Sequence, residues 1–371
     1  MIHKKIMMKK FLLLIVLLLI GFGVLQYRAG IAYNQPSRNY GTSVDKPVVK
    51  IGVIMPITGN LSEVGQSSNV AVDKVREETK DSPINFKFIV EDNAHDLKKS
   101  AIIASKLVDL DKASVVVSLF TGPATAVTSV TTPKNVLHIC IANDCNIASG
   151  PLNFVNWQQM SVAAQKMVEL LKSKNVRKIV IFTVEDAGNA LISKHIRERF
   201  ADNDIVFEEF RFNPTERNFT MIVEKAARID NADMWFLNTI SPGTELIRKL
   251  MIEKKIEIPV TTIQTFRNVE DKRLIKGFDY VDAAEIDNNF KSYIKDKTGS
   301  ENVTIAAYTY DTLKMIVKLN EDFYKREERL PTPEEMAQEL LAMKDYYGAV
   351  GHIEIAPNRV MYSDTVITTV K

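Results

Sequence analysis

The run VVKIGVIM at residues 48–55 constrains this chain most. Apart from Lys50 it is uncharged, and it is apolar at odd and even positions alike, so a strand made from it is buried on both faces. That is the pattern of a parallel sheet interior. Pro56, Thr58 and Gly59 stop the run, a polar loop follows, and apolar residues then recur at helical spacing through Val72. A buried strand feeding a loop at its carboxyl end is where open α/β sheets place ligands. The loop has no GxGxxG and no lysine-bearing phosphate motif, so a nucleotide is not the expected guest.

The same pattern repeats. Short β-branched runs at 84–90, 114–119, 136–141, 178–184, 205–212, 234–238 and 258–263 alternate with helical text at 97–108, 162–171, 190–200 and 219–229. This alternation predicts parallel sheets with helices on both faces. Long helical text follows at 303–325 and again at 333–341, before β-rich text at 349–355 and 360–370. A length of 371 residues exceeds what one core organises, so two lobes are expected.

Of the 48 Lys and Arg, five lie in residues 1–30, which contain no acid. The remaining 43 face 46 Asp and Glu, about −3 for the body. A near-neutral body without a basic cluster argues against nucleic acid as partner. Lys4, Lys5, Lys9 and Lys10 precede an uncharged apolar run at 11–25, the pattern of an export signal. With Gln26 and Tyr27 the run gives a marginal membrane span, so a cleaved signal and a retained anchor both fit residues 1–32. No cysteine follows to accept a lipid. Residues 33–46 are polar and read as a tether. The body is expected outside the cytoplasmic membrane, touching it only through the N-terminal segment.

Export permits a disulfide between Cys140 and Cys145, the two cysteines of the chain. An extended five-residue step reaches ~16 Å, however, so only a sharp turn at 142–144 would join them. Two separate thiols is the simpler reading.

Catalysis finds little support. The five histidines show no metal-ligand spacing, there is no GxSxG elbow, and no cofactor is expected. The acid pairs Glu91-Asp92 and Glu185-Asp186 are more simply loop residues or helix caps.

The opening 48–72, taken with AAYTYDTLKM at 306–315, resembles the type I periplasmic binding proteins, in their branched-chain amino-acid branch. The resemblance covers nearly all of the chain after residue 47. It implies two α/β lobes, each a mostly parallel sheet with helices on both faces, joined by a three-segment hinge. Carried over, it gives residues 47–154 plus 285–346 as the first lobe and 155–284 plus 347–371 as the second. It implies a solute receptor that closes on a small polar ligand, an amino acid or related compound, with permease and ATPase on other chains. A membrane-tethered sensor that signals to a partner is the alternative.

Site candidates follow from strand ends and from the resemblance together. Thr121 and Gly122 precede Pro123 at a predicted helix start, where free N–H groups suit a carboxylate; Thr121 acting only as a cap is the plainer alternative. Ala142, Asn143 and Asp144 follow the strand at 136–141. Asp144 stands where the family has a threonine, which implies a charge facing an ammonium or hydroxyl of the ligand, against a simple Asx-turn. Trp157 lies just past the first crossover and either stacks on a ligand or fills the hinge. Asp186, Thr239 and Gln264 occupy further strand ends of the second lobe. The family's aromatic lid is Val64 here, its Asp-x-x-Tyr-Gly loop is shortened to 185–188, and its ammonium-neutralising glutamate has no acid at 264–265.

Overall fold

In the computed structural model the described residues are 46–283, 285–300 and 302–371. The charged start, the apolar run 11–25 and nearly all of the tether lie outside them. No helix among the described residues is long and apolar enough to cross a membrane.

The opening run forms β1 (Val48–Met55), paired in parallel with β2 (Asn85–Asp92) on one side and β3 (Val115–Leu119) on the other. β4 (Leu137–Ile141) and β5 (Asn153–Asn156) continue the sheet in parallel. Burial on both faces explains the unbroken apolar text. Val53 and Met55 enter one core with Val72, Val117 and Leu313, while Ile54 enters another with Ile103, Leu107 and Val116. Gly52 lets the Leu107 side chain approach the strand, because a Cβ there would lie 2.7 Å from it. Helices Leu97–Asp109 and Thr121–Thr131 cover one face, and helices Ser62–Glu78 and Thr304–Glu327 pack together on the other.

The second lobe holds a four-stranded parallel sheet in the order β7 (Val206–Phe212), β6 (Lys178–Val184), β8 (Met234–Asn238), β9 (Val260–Thr261). Alternate residues of β6 again divide between cores, Ile179 and Ile181 in one, Val180 and Phe182 in the other. Trp235 is fully buried beside Phe182, with ring centroids 4.9 Å apart.

Three strands of the C-terminal region join the first lobe, which the expected boundaries did not allow. β11 (Asp345–Gly348), β12 (Gly351–Ile355) and β13 (Val360–Ser363) extend the large sheet past β5 to eight strands. β13 pairs in parallel with β5, Val360 opposite Val155. The buried Asp311 carboxylate accepts from the backbone N–H of Ala349 and Val350, both at 2.8 Å, and pins the hairpin to helix Thr304–Glu327. Only β14 (Thr365–Thr369) leaves, pairing antiparallel with β10 (Asp279–Ala283) against the helix Met160–Ser173 of the second lobe. The third crossing therefore falls between Ser363 and Thr365, not at 346–347. The first comes after Asn156, slightly later than residue 154, because Asn153–Asn156 completes the first sheet.

Both lobes have a topological switch point. The order β2-β1-β3 reverses direction between β1 and β3, and β7-β6-β8 reverses between β6 and β8. Crevices open outside the carboxyl ends of strands at such points.

His138 on β4 is fully buried, its Nε2 2.7 Å from the Ser118 hydroxyl and its Nδ1 3.1 Å from that of Thr128. Burial pushes its pKa down to about 3. The unfolded chain takes up this proton near pH 6.5, so the folded state is favoured fully above 6.5 and loses stability as pH falls toward 3. One proton corresponds to at most about 1.4 kcal/mol per pH unit. Urea titrations between pH 7.5 and 4 should show stability declining, and His138→Gln should flatten that decline; an unchanged slope would show that another group carries it.

Candidate functional site

The carboxyl ends of β1, β3 and β4 face those of β6, β8 and β9 across one cavity of about 180 Å³. A 150 Å³ protein cavity holds benzene, so the space suits a solute of roughly amino-acid size. On the first lobe the loop after β1 is fixed by Asp92, whose carboxylate accepts from Ile57 N–H (2.9 Å) and from the hydroxyl of Thr58 (2.6 Å). Three of the non-glycine residues lining the cavity, His95, Phe120 and Gln264, have φ between 62° and 72°. Phe120 combines φ 72° with ψ 145°, a region that costs a non-glycine residue about 1–3 kcal/mol. Such strain gathers where a turn must aim its neighbours at a ligand.

Phe120 turns the chain from β3 straight into the helix, so Thr121 is the first helical residue and not its cap. Its hydroxyl accepts from Asn143 N–H at 3.0 Å and makes no cap bond. A hydroxyl that accepts here still has its own proton to donate. The helix start also presents N–H groups that a helix cannot satisfy internally, at its positive dipole end. Ala142 and Asn143 line the same wall.

Two expected contacts do not enter. Gly122 lies beside the cavity, where a Cβ would touch Leu97 at 3.4 Å and Ala187 at 3.9 Å. Asp144 turns away. It accepts from the backbone and the side-chain amide of Asn146, both at 2.9 Å, and starts the short turn Cys145–Ser149. The Asx-turn reading was the right one, and a charge from Asp144 on the ligand is not supported. The two thiols are free, Cys140 buried and Cys145 half-buried.

On the second lobe Asp186 caps the helix Ala187–Ala201, accepting from Gly188 N–H (2.8 Å) and Asn189 N–H (3.2 Å). Its other oxygen lies 4.0 Å from His95 Nε2 of the first lobe. Burial lowers the His95 pKa, and Asp186 works against that shift. Thr239 is buried, its hydroxyl on that of Thr244. Gln264 lines the cavity with its amide 3.7 Å from Met160 Sδ, and its backbone carbonyl accepts from Arg267 Nε at 3.2 Å. Trp157 closes the hinge side of the cavity, its ring 4.4 Å from that of Tyr308.

Arg267 was missed by the sequence reading. It is 9% exposed, lines the cavity, pairs with Asp282, and holds its guanidinium 5.6 Å from the Trp157 ring. Burial lowers its pKa to about 10, against the opposing pull of Tyr280 and Tyr308, so it stays charged at neutral pH. The signal was present: Arg267 is the sole charged residue between Glu257 and Glu270, at a strand end beside Gln264.

The lobes meet at Gly188. A Cβ there would lie 3.2 Å from Asn143 Nδ2 of the opposite wall. Gly188→Leu should therefore wedge the cleft: small-angle scattering should give a larger radius of gyration than wild type, with unchanged secondary structure by circular dichroism. Equal radii would show that the walls tolerate the side chain and that this contact does not limit closure.

A family model described as "Periplasmic binding protein" matches residues 48–371. No curated protein matches the chain in sequence. Among solved structures, a leucine binding protein, LivK, from Thermotoga maritima is 17% identical with a TM-score of 0.78, covering 87% of this chain and 95% of its own. The branched-chain amino acid substrate binding protein LivJ of Streptococcus pneumoniae, in complex with isoleucine, is also 17% identical (TM-score 0.75; coverage 87% and 96%). A solute binding protein of an ABC transporter from Rhodopseudomonas palustris, in complex with 3,4-dihydroxybenzoic acid, gives 17% identity and TM-score 0.75, covering 87% and 93%. At such identities the solved structures establish the shared two-lobed α/β fold, and the match over 48–371 establishes the kinship: this chain belongs to the periplasmic binding protein family.

Proposed function

We propose that the chain is the extracytoplasmic receptor of an importer, closing on one small polar solute and presenting the closed form to a permease on another chain. One observation carries this reading: the ligand-facing strand ends of two separate sheets converge on a single cavity of about 180 Å³. Because only the closed form touches a solute from both walls, binding shifts the open–closed equilibrium. The charged start and apolar run at 4–25 support export of the body.

The chemistry of the first wall supports a carboxylate at the start of helix Thr121–Thr131. The hydroxyl of Thr121, already accepting from Asn143, is left to donate, and the helix dipole favours an anion. The similar structures were solved with isoleucine and with 3,4-dihydroxybenzoate. We take small carboxylic acids, amino acids and aromatic acids alike, as the solute class.

Thermal-shift screening with L-leucine, L-isoleucine, benzoate and 4-hydroxybenzoate tests this, since a cleft ligand raises the melting temperature. For the best of them, Thr121→Val should weaken binding about ten- to a hundred-fold, the value of a hydrogen bond to a charged group at ~1.5–3 kcal/mol. The variant also strands Asn143 N–H, a stability cost of about 1–3 kcal/mol. Calorimetry returning the wild-type affinity would remove Thr121 from the solute's contacts.

A further inference from the structure

We infer that His95 and Asp186 form a clasp across the cleft that grips only when His95 is charged, so that a proton taken up by His95 helps to hold the lobes closed. This rests on the hinged opening and closing proposed above, and it adds what biases that equilibrium.

His95 lies in the loop after β2 on the first lobe, and Asp186 starts helix Ala187–Ala201 on the second. Both line the cavity, where their side chains are 27% and 20% exposed. Each is held in place. Asp186 gives Oδ1 to the N–H groups of Gly188 and Asn189, which leaves Oδ2 for His95. The His95 backbone N–H donates to Asn93 Oδ1 at 3.0 Å, and its ring stands edge-on to Phe120 with centroids 5.2 Å apart. The lobes touch in the same neighbourhood, where a Cβ on Gly122 would lie 3.9 Å from that of Ala187. Opening the hinge would part the pair.

The distance decides what the pair can do. Nε2 and Oδ2 are 4.0 Å apart, too far for a hydrogen bond, so a neutral imidazole gains nothing there. An imidazolium attracts the carboxylate through space at that distance, and partial burial spares the attraction full screening by water. Other charges nearby are committed elsewhere. On the His95 loop, Asp92 holds Ile57, Thr58 and Lys99, and Asp96 accepts from the Lys99 N–H. Helix Thr121–Thr131, which Phe120 leads into, carries no charged side chain. Of the cavity's remaining charged residues, Glu63 takes the Ser300 hydroxyl, Arg267 pairs with Asp282, and Glu270 makes no ion pair with His95. Among the described residues, Asp186 alone stands at ion-pair distance from His95. Burial lowers the His95 pKa and Asp186 raises it, the latter only while the lobes are closed. By linkage, what Asp186 adds to closure is present when His95 is protonated and is lost as pH rises through the His95 titration, which burial places below the ordinary value near 6.5.

Asp186→Asn tests this, because Asn caps a helix as well as Asp does and removes only the charge. NMR titration of the full chain with labelled histidine reads His95, identified by the signal that His95→Gln deletes. Asp186→Asn should weaken the proton affinity of His95 about two- to five-fold, the range of a partly exposed ion pair. The same factor should appear in solute binding, read by calorimetry with whichever of L-leucine, L-isoleucine, benzoate and 4-hydroxybenzoate gives the largest thermal shift. The affinity lost to Asp186→Asn should be about two- to five-fold greater at pH 5.5 than at pH 7.5, and that excess should vanish in the His95→Gln background. A His95 titration identical in the two proteins would overturn the clasp. So would a loss equal at both pH values, or an excess at pH 5.5 that persists without His95. If none of the four acids binds, the solute reading of the cleft falls, while the His95 titration still decides the clasp.

Discussion

The contact between Tyr308 and Trp157 governs this structure, because it lies where the chain passes between lobes. The first passage leaves β5 at Asn156 and begins with Trp157, the second leaves β10 at Ala283, and the third runs from Ser363 into Thr365. Tyr308, fully buried, packs on Trp157 and places its hydroxyl on that of Ser363, so one side chain touches the first passage and the third. Arg267, stacked on Trp157, pairs with Asp282 and so reaches the strand that leads to the second. A hinge made of buried aromatic rings and one ion pair keeps three chain segments in register. Its position beneath the cleft also makes it part of the cleft floor.

This gives AAYTYD at 306–311 a physical job. Its first tyrosine, Tyr308, and its aspartate, three residues apart on one helix, face the same way. Tyr308 reaches Ser363, and Asp311 holds the backbone of Ala349 and Val350. Gly348 belongs to the same device, since a Cβ there would collide with the Asp311 carboxylate. The motif fastens the last part of the chain to the first lobe.

Much of the fold was legible because burial on both faces of a parallel strand writes itself as continuous apolar text, and β1, β3, β4, β6 and β8 were readable in this way. Pairings between distant segments were not. Nothing local in VMYS at 360–363 says that it lies beside Val155, and a family boundary carried over at 346–347 assigned it to the wrong lobe. The site divided similarly. Thr121, Ala142, Asn143, Trp157, Asp186, Thr239 and Gln264 were picked out because each ends a strand or follows a crossover, and the structure gathers them around one cavity. Asp144 also ends a strand, but its carboxylate satisfies a backbone N–H two residues on, a local bond that competes with any distant role. Arg267 went unread because it sits in a short turn with no periodic pattern to give it a direction.

The late return of the chain to the first lobe has a temporal consequence. One face of the large sheet is covered only in part, by helix Ser62–Glu78, until helix Thr304–Glu327 arrives, and its edge beyond β5 is unpaired until residue 360. A chain made from its N-terminus cannot cover β1 to β5 before most of its length exists. Contacts of such long sequence separation form slowly. If the chain is exported as proposed above, that delay is useful: topology alone keeps it unfinished, and therefore passable, until almost the whole of it has been synthesised.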